Sequence, residues 1–133
     1  MKTMKEIFSN WRRFNGQRTG TLDGVEIYFH ILTTPEEQSE GFMNKPEPHD
    51  GFGLFFLYPE ERQLSFWMKN VPYDLDLVAL DKDLRVMEII HLKANDETSI
   101  GITNPCQYVI ELRGGWCEDY GINFGKKFIF NEG

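Results

Sequence analysis

What the chain lacks narrows its chemistry first. No stretch reaches the ~18 consecutive apolar residues of a membrane-crossing helix. The N-terminus has neither the uninterrupted apolar segment nor the small-residue cleavage site of a secretory signal. Together these absences predict a cytoplasmic protein with no membrane partner. Cysteine is nearly missing: the two present, Cys106 and Cys117, are too few for a zinc knuckle and too far apart for a redox Cys-x-x-Cys pair. One disulfide is the most they allow, and the missing export signal favours free thiols. Basic residues are outnumbered, 14 Lys and Arg against 21 Asp and Glu, for a net charge of -7. Nucleic-acid binding draws on a basic face that releases counterions, so nucleic acid is not expected as a partner.

The usual catalytic signatures are also absent. There is no Gly-x-Ser-x-Gly elbow, and neither cysteine has a motif-linked histidine. Gly51-x-Gly53 precedes an apolar strand and not a helix, so it lacks the context of a dinucleotide or phosphate loop. His30, His49 and His91 stand in no His-x-His or His-x-x-x-His relation, and no zinc site is expected. No cofactor is implied.

What is present is ample core material. The chain has 133 residues, 41% of them hydrophobic, with 11 Phe, 3 Trp and 5 Tyr. A single domain of this size buries roughly two thirds of its unfolded surface, so one core suffices. Charge is uneven along it. Residues 1–20 carry Lys2, Lys5, Arg12, Arg13 and Arg18 against the single acid Glu6. Within them Met4, Phe8 and Trp11 recur at helical spacing, which predicts a short basic amphipathic leader stopped by Asn15-Gly16 and Gly20. The domain proper is expected over residues 21–133.

Strand signals dominate the domain. Val25–Leu32 is rich in β-branched and aromatic residues and follows an Asp23-Gly24 turn. Thr34, Pro35 and Glu37 make a helix start with a capping box, and Gly41 ends that helix. A loop over residues 44–51 leads to a buried strand, Leu54–Tyr58, closed by Pro59, and then to Leu64–Met68. Leu75–Leu80 and Leu84–His91 flank Asp81-Lys82-Asp83, whose carboxylates can cap their own turn, and so predict a hairpin. Lys93–Pro105 is polar and loop-like. Gln107–Leu112 is another strand, Trp116–Tyr120 a short helix ended by Gly121, and Lys127–Phe130 a final strand. The expectation is a mostly β (α+β) fold: a small antiparallel β barrel or curled sheet of six to seven strands with two or three short helices.

Four landmarks between residues 22 and 130 fit one known family. They are Glu40-Gly41-Phe42-Met43; Gly53-Leu54-Phe55-Phe56; Phe66-Trp67-Met68-Lys69-Asn70 with Leu75-Asp76; and Tyr108-Val109-Ile110-Glu111-Leu112 followed by Gly114 or Gly115 and by Gly121-Ile122. With them the chain resembles the DUF192 family, uncharacterised small proteins of bacteria, archaea and some viruses. The resemblance implies a compact, mostly antiparallel barrel or curled sheet and brings no established activity. Three departures stand out. Glu40 takes the place of a usual Arg, Val71-Pro72-Tyr73-Asp74 replaces a usual Thr-x-x-Pro segment, and the export signal common in the family is missing. Separately, the leader's Phe8-x-x-Trp11-Arg12-x-Phe14 resembles leaders of some tailed-phage proteins destined for packaging.

The candidate site gathers at the Trp67–Asn70 corner. Trp67 and Met68 alternate in a strand, so one faces the core, and Trp67 is either a core aromatic or a ligand-stacking one. Lys69 is either a solvated charge or an anion anchor, and Asn70 suits the closing of a turn. Asp74 and Asp76 share a face if the chain is extended there, and Lys69 is the natural counter-ion for Asp76. Glu111 lies in an apolar strand, on the face of Val109 and not of Ile110. It either points to solvent or, turned inward, is the best candidate base or metal ligand.

The leading expectation is therefore a non-enzymatic ligand-binding or accessory module. Trp67, Lys69, Asn70, Asp76 and Glu111 would hold a small molecule or peptide. One alternative is a hydrolase-like enzyme using Asp76, Glu111 and Lys69. The other is a structural or virion-associated protein docked to an acidic scaffold through residues 1–15.

Overall fold

A computed structural model describes residues 17–131. The predicted amphipathic helix around Met4, Phe8 and Trp11 lies outside them. The sheet begins within the segment assigned to the leader, because Arg18–Leu22 forms strand β1. It pairs with β2 (Val25–Leu32) across a two-residue turn in which Asp23 and Gly24 both have positive φ. That is the geometry whose twist suits a tight hairpin.

From β2 the chain crosses to a parallel neighbour, β3 (Phe52–Arg62), so it needs a connection over one face of the sheet. Helix α1 (Pro35–Glu40) supplies it. Its start is the capping box expected from sequence: Thr34 Oγ1 accepts from the Glu37 amide at 3.2 Å, and Glu37 Oε1 accepts from the Thr34 amide at 3.1 Å. Gln38 ties the helix down by donating to the Leu32 and Leu57 carbonyls.

The other strands are β4 (Ser65–Phe66), β5 (Leu75–Leu80), β6 (Val86–Leu92), β7 (Ile100–Gly101), β8 (Cys106–Arg113) and β9 (Phe128–Phe130), with helix α2 (Trp116–Asp119) after β8. Seven of them make one sheet in the order β6-β5-β8-β3-β2-β1-β9, and β4 pairs with β7 in a separate ribbon. Within the seven-stranded sheet β2–β3 is the single parallel pair, and every other neighbour is antiparallel.

Three boundaries differ from the sequence reading. β3 does not stop at Pro59 but runs on to Arg62, with its pairing to β8 interrupted between Leu57 and Arg62. A proline cannot donate to a ladder, so the irregularity falls where the chemistry requires it. The strand expected over Leu64–Met68 is reduced to two residues, and the polar Lys93–Pro105 stretch hides its partner β7.

The sheet curls until its edge strands meet at one corner. Arg85 and Lys127 form an antiparallel bridge, with the Val86 amide donating to Lys126 O and the Phe128 amide to Leu84 O, both at 2.8 Å. Among the described residues the result is a mostly β half-barrel of seven strands with two short helices.

Period-two alternation then sorts the core into two layers. Inside the curl lie Phe29, Phe55, Ile110, Trp116 and Phe128. On the outer face, beneath α1 and the β4–β7 ribbon, lie Phe42, Leu54, Phe56, Met68, Leu77 and Val109. β5 is buried along its whole length because both its faces are covered, and each such Leu or Val contributes roughly 1.5–3 kcal/mol.

Candidate functional site

The outer layer does not close completely. Between α1 with the turn after it, the β4 segment and the sheet floor is a cavity of about 240 Å³. Phe56, Phe66, Met68 and Leu75 supply apolar walls, Trp67 stands at the rim, and Glu111 is on the floor. Trp67 is 46% exposed. The turn over the cavity is pinned from several sides. Phe42 is buried edge-on against Phe52 and Tyr73. The Tyr73 hydroxyl donates to Lys45 O at 2.7 Å, and Lys45 Nζ donates to Glu40 Oε1 at 3.1 Å and to Gly41 O at 2.6 Å.

Glu111 sits mid-strand in β8, opposite Leu54 of β3 and Leu77 of β5, and is 5% exposed. No hydrogen bond reaches its carboxyl from the described residues. Desolvation without a partner disfavours the charged form, and burial pushes this carboxyl up to about 8. The same burial raises the Tyr58 phenol, with the Glu111 charge adding to it.

Gly41 keeps the space above the carboxyl open. A Cβ there would lie 3.6 Å from Glu111 Oε1 and 3.5 Å from the Phe56 ring. Gly41 also takes φ +50°, which disfavours any side chain.

A second polar cluster sits on the opposite face. The Asp76 carboxylate is 3% exposed and accepts three bonds: from the Gly115 amide at 3.0 Å, the Cys117 amide at 2.9 Å, and His91 Nδ1 at 2.8 Å. It thereby holds the first turn of α2, whose amides lack intrahelical partners. His91 Nε2 reaches Asp74 Oδ2 at 2.9 Å, and the Ala94 amide donates to Asp74 Oδ1 at 2.8 Å. Hydrogen bonds to Asp76 and then Asp74 raise the His91 pKa, which fits an imidazolium donating to both. Asp74 is lowered by the Ala94 amide first and His91 second. The Cys117 thiol, buried beside Asp76, is pushed up to about 12.

The five residues singled out in the sequence therefore divide. Trp67 and Glu111 line the cavity. Lys69 lies outside it, its Nζ 5.3 Å from the Trp67 ring centroid. It is not the counter-ion of Asp76; His91 and two backbone amides take that role, because Asp76 faces α2 and not the corner. Asn70 occupies a left-handed turn at φ +59°. The Asp76, Glu111 and Lys69 trio does not converge, since the β5–β8 register puts Asp76 on the Leu112 face and Glu111 on the Leu77 face.

His91 went unrecognised as a site residue. The hairpin could have paired it with Asp76 only through the irregularity between Ala79 and Leu80, which shifts the register by one. Gly41 and Phe56 also line the cavity, and in the sequence only the family resemblance sets them apart. Among the described residues, no group of three or more His, Cys, Asp or Glu is arranged to hold a metal ion. No described helix is long and apolar enough to cross a membrane.

The DUF192 profile, described as "Uncharacterized ACR", matches residues 18–130. The chain belongs to the DUF192 family. No curated protein matches it. Among solved structures, a protein of unknown function from Novosphingobium aromaticivorans is 30% identical. That match covers 84% of this chain and 82% of the other, with a TM-score of 0.75. A protein of Sinorhizobium meliloti, described as a candidate transcription regulator, superimposes with a TM-score of 0.82 over 86% of this chain and 94% of its own, at 22% identity. At that identity the likeness speaks for the fold alone.

Proposed function

We propose that this DUF192 domain is a non-enzymatic binding module that houses a small molecule in the cavity beneath α1. One observation carries the reading: a buried carboxyl, Glu111, that has no partner among the described residues and lies on the floor of an aromatic-walled cavity. Buried polar groups are normally satisfied by the protein, and an orphan aimed into a cavity is a group kept for something else. Ligand sites have this character, mostly apolar walls with a few placed polar groups. Typical drug-sized pockets run about 300–1,000 Å³, so a cavity of about 240 Å³ suits a small ligand. Among the described residues no nucleophile, base and orienting group stand together at the cavity, which is why binding is preferred over turnover.

The test is a small-molecule screen by thermal shift, followed by mapping of hits through amide chemical shifts. Hits are expected to perturb Gly41, Phe66, Trp67 and Glu111, and to be lost in Trp67→Ala and Glu111→Gln. A screen without hits, or hits that map elsewhere, ends the proposal.

The leader supports a separate proposal through its charge. Five cations against one acid in residues 1–20 suit docking on an acidic scaffold, in a cytoplasmic or virion setting. Deleting residues 1–15 is expected to abolish such docking while leaving the thermal unfolding of the domain unchanged. Retained docking refutes it.

A further inference from the structure

We propose that the cavity beneath α1 takes a small organic cation, an amine with an aromatic or branched apolar body, whose ammonium group rests on the Glu111 carboxylate. This deepens the binding-module reading and depends on it.

The floor sets the chemistry. An ionised carboxylate is an acceptor only, and an ammonium is a donor only, with three N–H groups. Glu111 is 5% exposed, so a pair formed there is desolvated on both sides and stronger than a surface pair. The walls exclude the opposite sign. Of the described residues lining the cavity none is Lys, Arg or His, and Glu40 is a second acid among them. An anionic ligand would meet no counter-charge from these residues.

Among the described residues, three cations that do not line the cavity contact residues that do. Lys45 bonds Glu40 and Gly41 O, Lys69 lies over Trp67, and Arg62 lies over Tyr58. The sides suit the body of such a ligand. Phe56, Phe66 and Trp67 present aromatic surface, which attracts both hydrocarbon and cationic groups.

Binding has a proton signature. Glu111, with a midpoint of about 8, is protonated in the empty domain at pH 7. Docking an ammonium ion therefore converts carboxyl to carboxylate and releases that proton to solvent, with no other bond made or broken. Among the described residues, the other titratable or charged groups around it are Tyr58 of β3, Tyr73 ahead of β5, and Glu40 of α1 with its partner Lys45. Both tyrosines are raised above their ordinary range, so they stay neutral at pH 7 and leave Glu111 as the group that gives up the proton.

The experiment is titration calorimetry of the full chain with three matched probes: 2-phenylethylamine, 2-phenylethanol and 3-phenylpropionate. Each is measured at pH 7 in buffers of different ionisation enthalpy, on the native chain and on Glu111→Gln. The amine is expected to bind at least about tenfold more tightly than the alcohol, as a charge-assisted pair should. The carboxylate probe is expected not to bind, and amine binding is expected to release a proton. In Glu111→Gln the amine should lose its advantage over the alcohol, with circular dichroism showing that the variant is folded. The proton release is read on the native chain, so it serves as a test even if the variant does not fold. If the alcohol or the carboxylate matches the amine, or no proton is released, the cavity remains a binding site and the cation assignment falls. If none of the three binds at millimolar concentration, both readings fall.

Discussion

Asp76 and Glu111 are one register step apart across the β5–β8 ladder, yet their carboxyls point to opposite faces of the sheet. Each ends in a different environment. Asp76 receives two amides and an imidazole, while Glu111 receives no hydrogen bond from the described residues and stays on the floor of a cavity. Two acids that look alike in sequence thus play opposite parts, one structural and one available.

Glu111→Gln should stabilise the domain, and by an amount that depends on pH. Burial raises the carboxyl from an ordinary 4.5 to about 8, so between those values the folded state binds more protons than the unfolded one. Stability therefore falls as pH rises through that window. At about 1.4 kcal/mol per unit, the cost near pH 8 is a few kcal/mol. Urea unfolding should find variant and native chain equal below pH 4.5, with the variant ahead by pH 8. A gap independent of pH would show that Glu111 is not held in its neutral form.

Asp76→Asn should destabilise by about 3 kcal/mol, because an amide cannot accept from both the Gly115 and Cys117 N–H groups while receiving His91. The loss should appear first at α2, whose Trp116 is fully buried. Near-UV circular dichroism and urea unfolding measure both. A loss under about 1 kcal/mol would mean the helix start does not depend on this carboxylate.

His91 should titrate above its ordinary 6.5, since Asp76 and then Asp74 favour its charged form. A base raised on folding adds stability that is fully present below 6.5 and is lost as pH rises through the raised midpoint. NMR titration of the ring should show that midpoint, and Asp74→Asn should lower it. A midpoint at or below 6.5 in the native chain contradicts the arrangement.

Gly41→Ala should cost about 1 kcal/mol from its positive φ alone. Its methyl group would also enter the space above Glu111, 3.6 Å from Oε1. Ligands that shift the melting temperature of the native chain should then fail to shift that of the variant. Unchanged binding would move the ligand elsewhere.

Much of this was legible in the residues. The Thr34–Glu37 capping box, the Asp81 turn and the alternation around Glu111 are local signals, and each appears as read. Which face Glu111 takes was not legible, because alternation says which residues share a face and not what covers it. The cover comes from α1 and the β4–β7 ribbon, and two-residue strands leave too short a pattern to detect. The partner of Asp76 was hidden for a similar reason. A one-residue irregularity in the hairpin moves His91 opposite it; the Leu80–Val86 register carried on without that shift would place Ile90 there.

β9 pairs with β1, joining Gly20 to Phe130. More than a hundred residues must therefore be synthesised after β1 before it gains its outer neighbour, and Phe128 and Phe130 reach the ring stack of Phe29 and Phe55 last. During that wait β1 is an open edge beside bare aromatic surface, a template for pairing with another chain. The domain's most hazardous moment is thus during its synthesis, and the three residues of β9 end it.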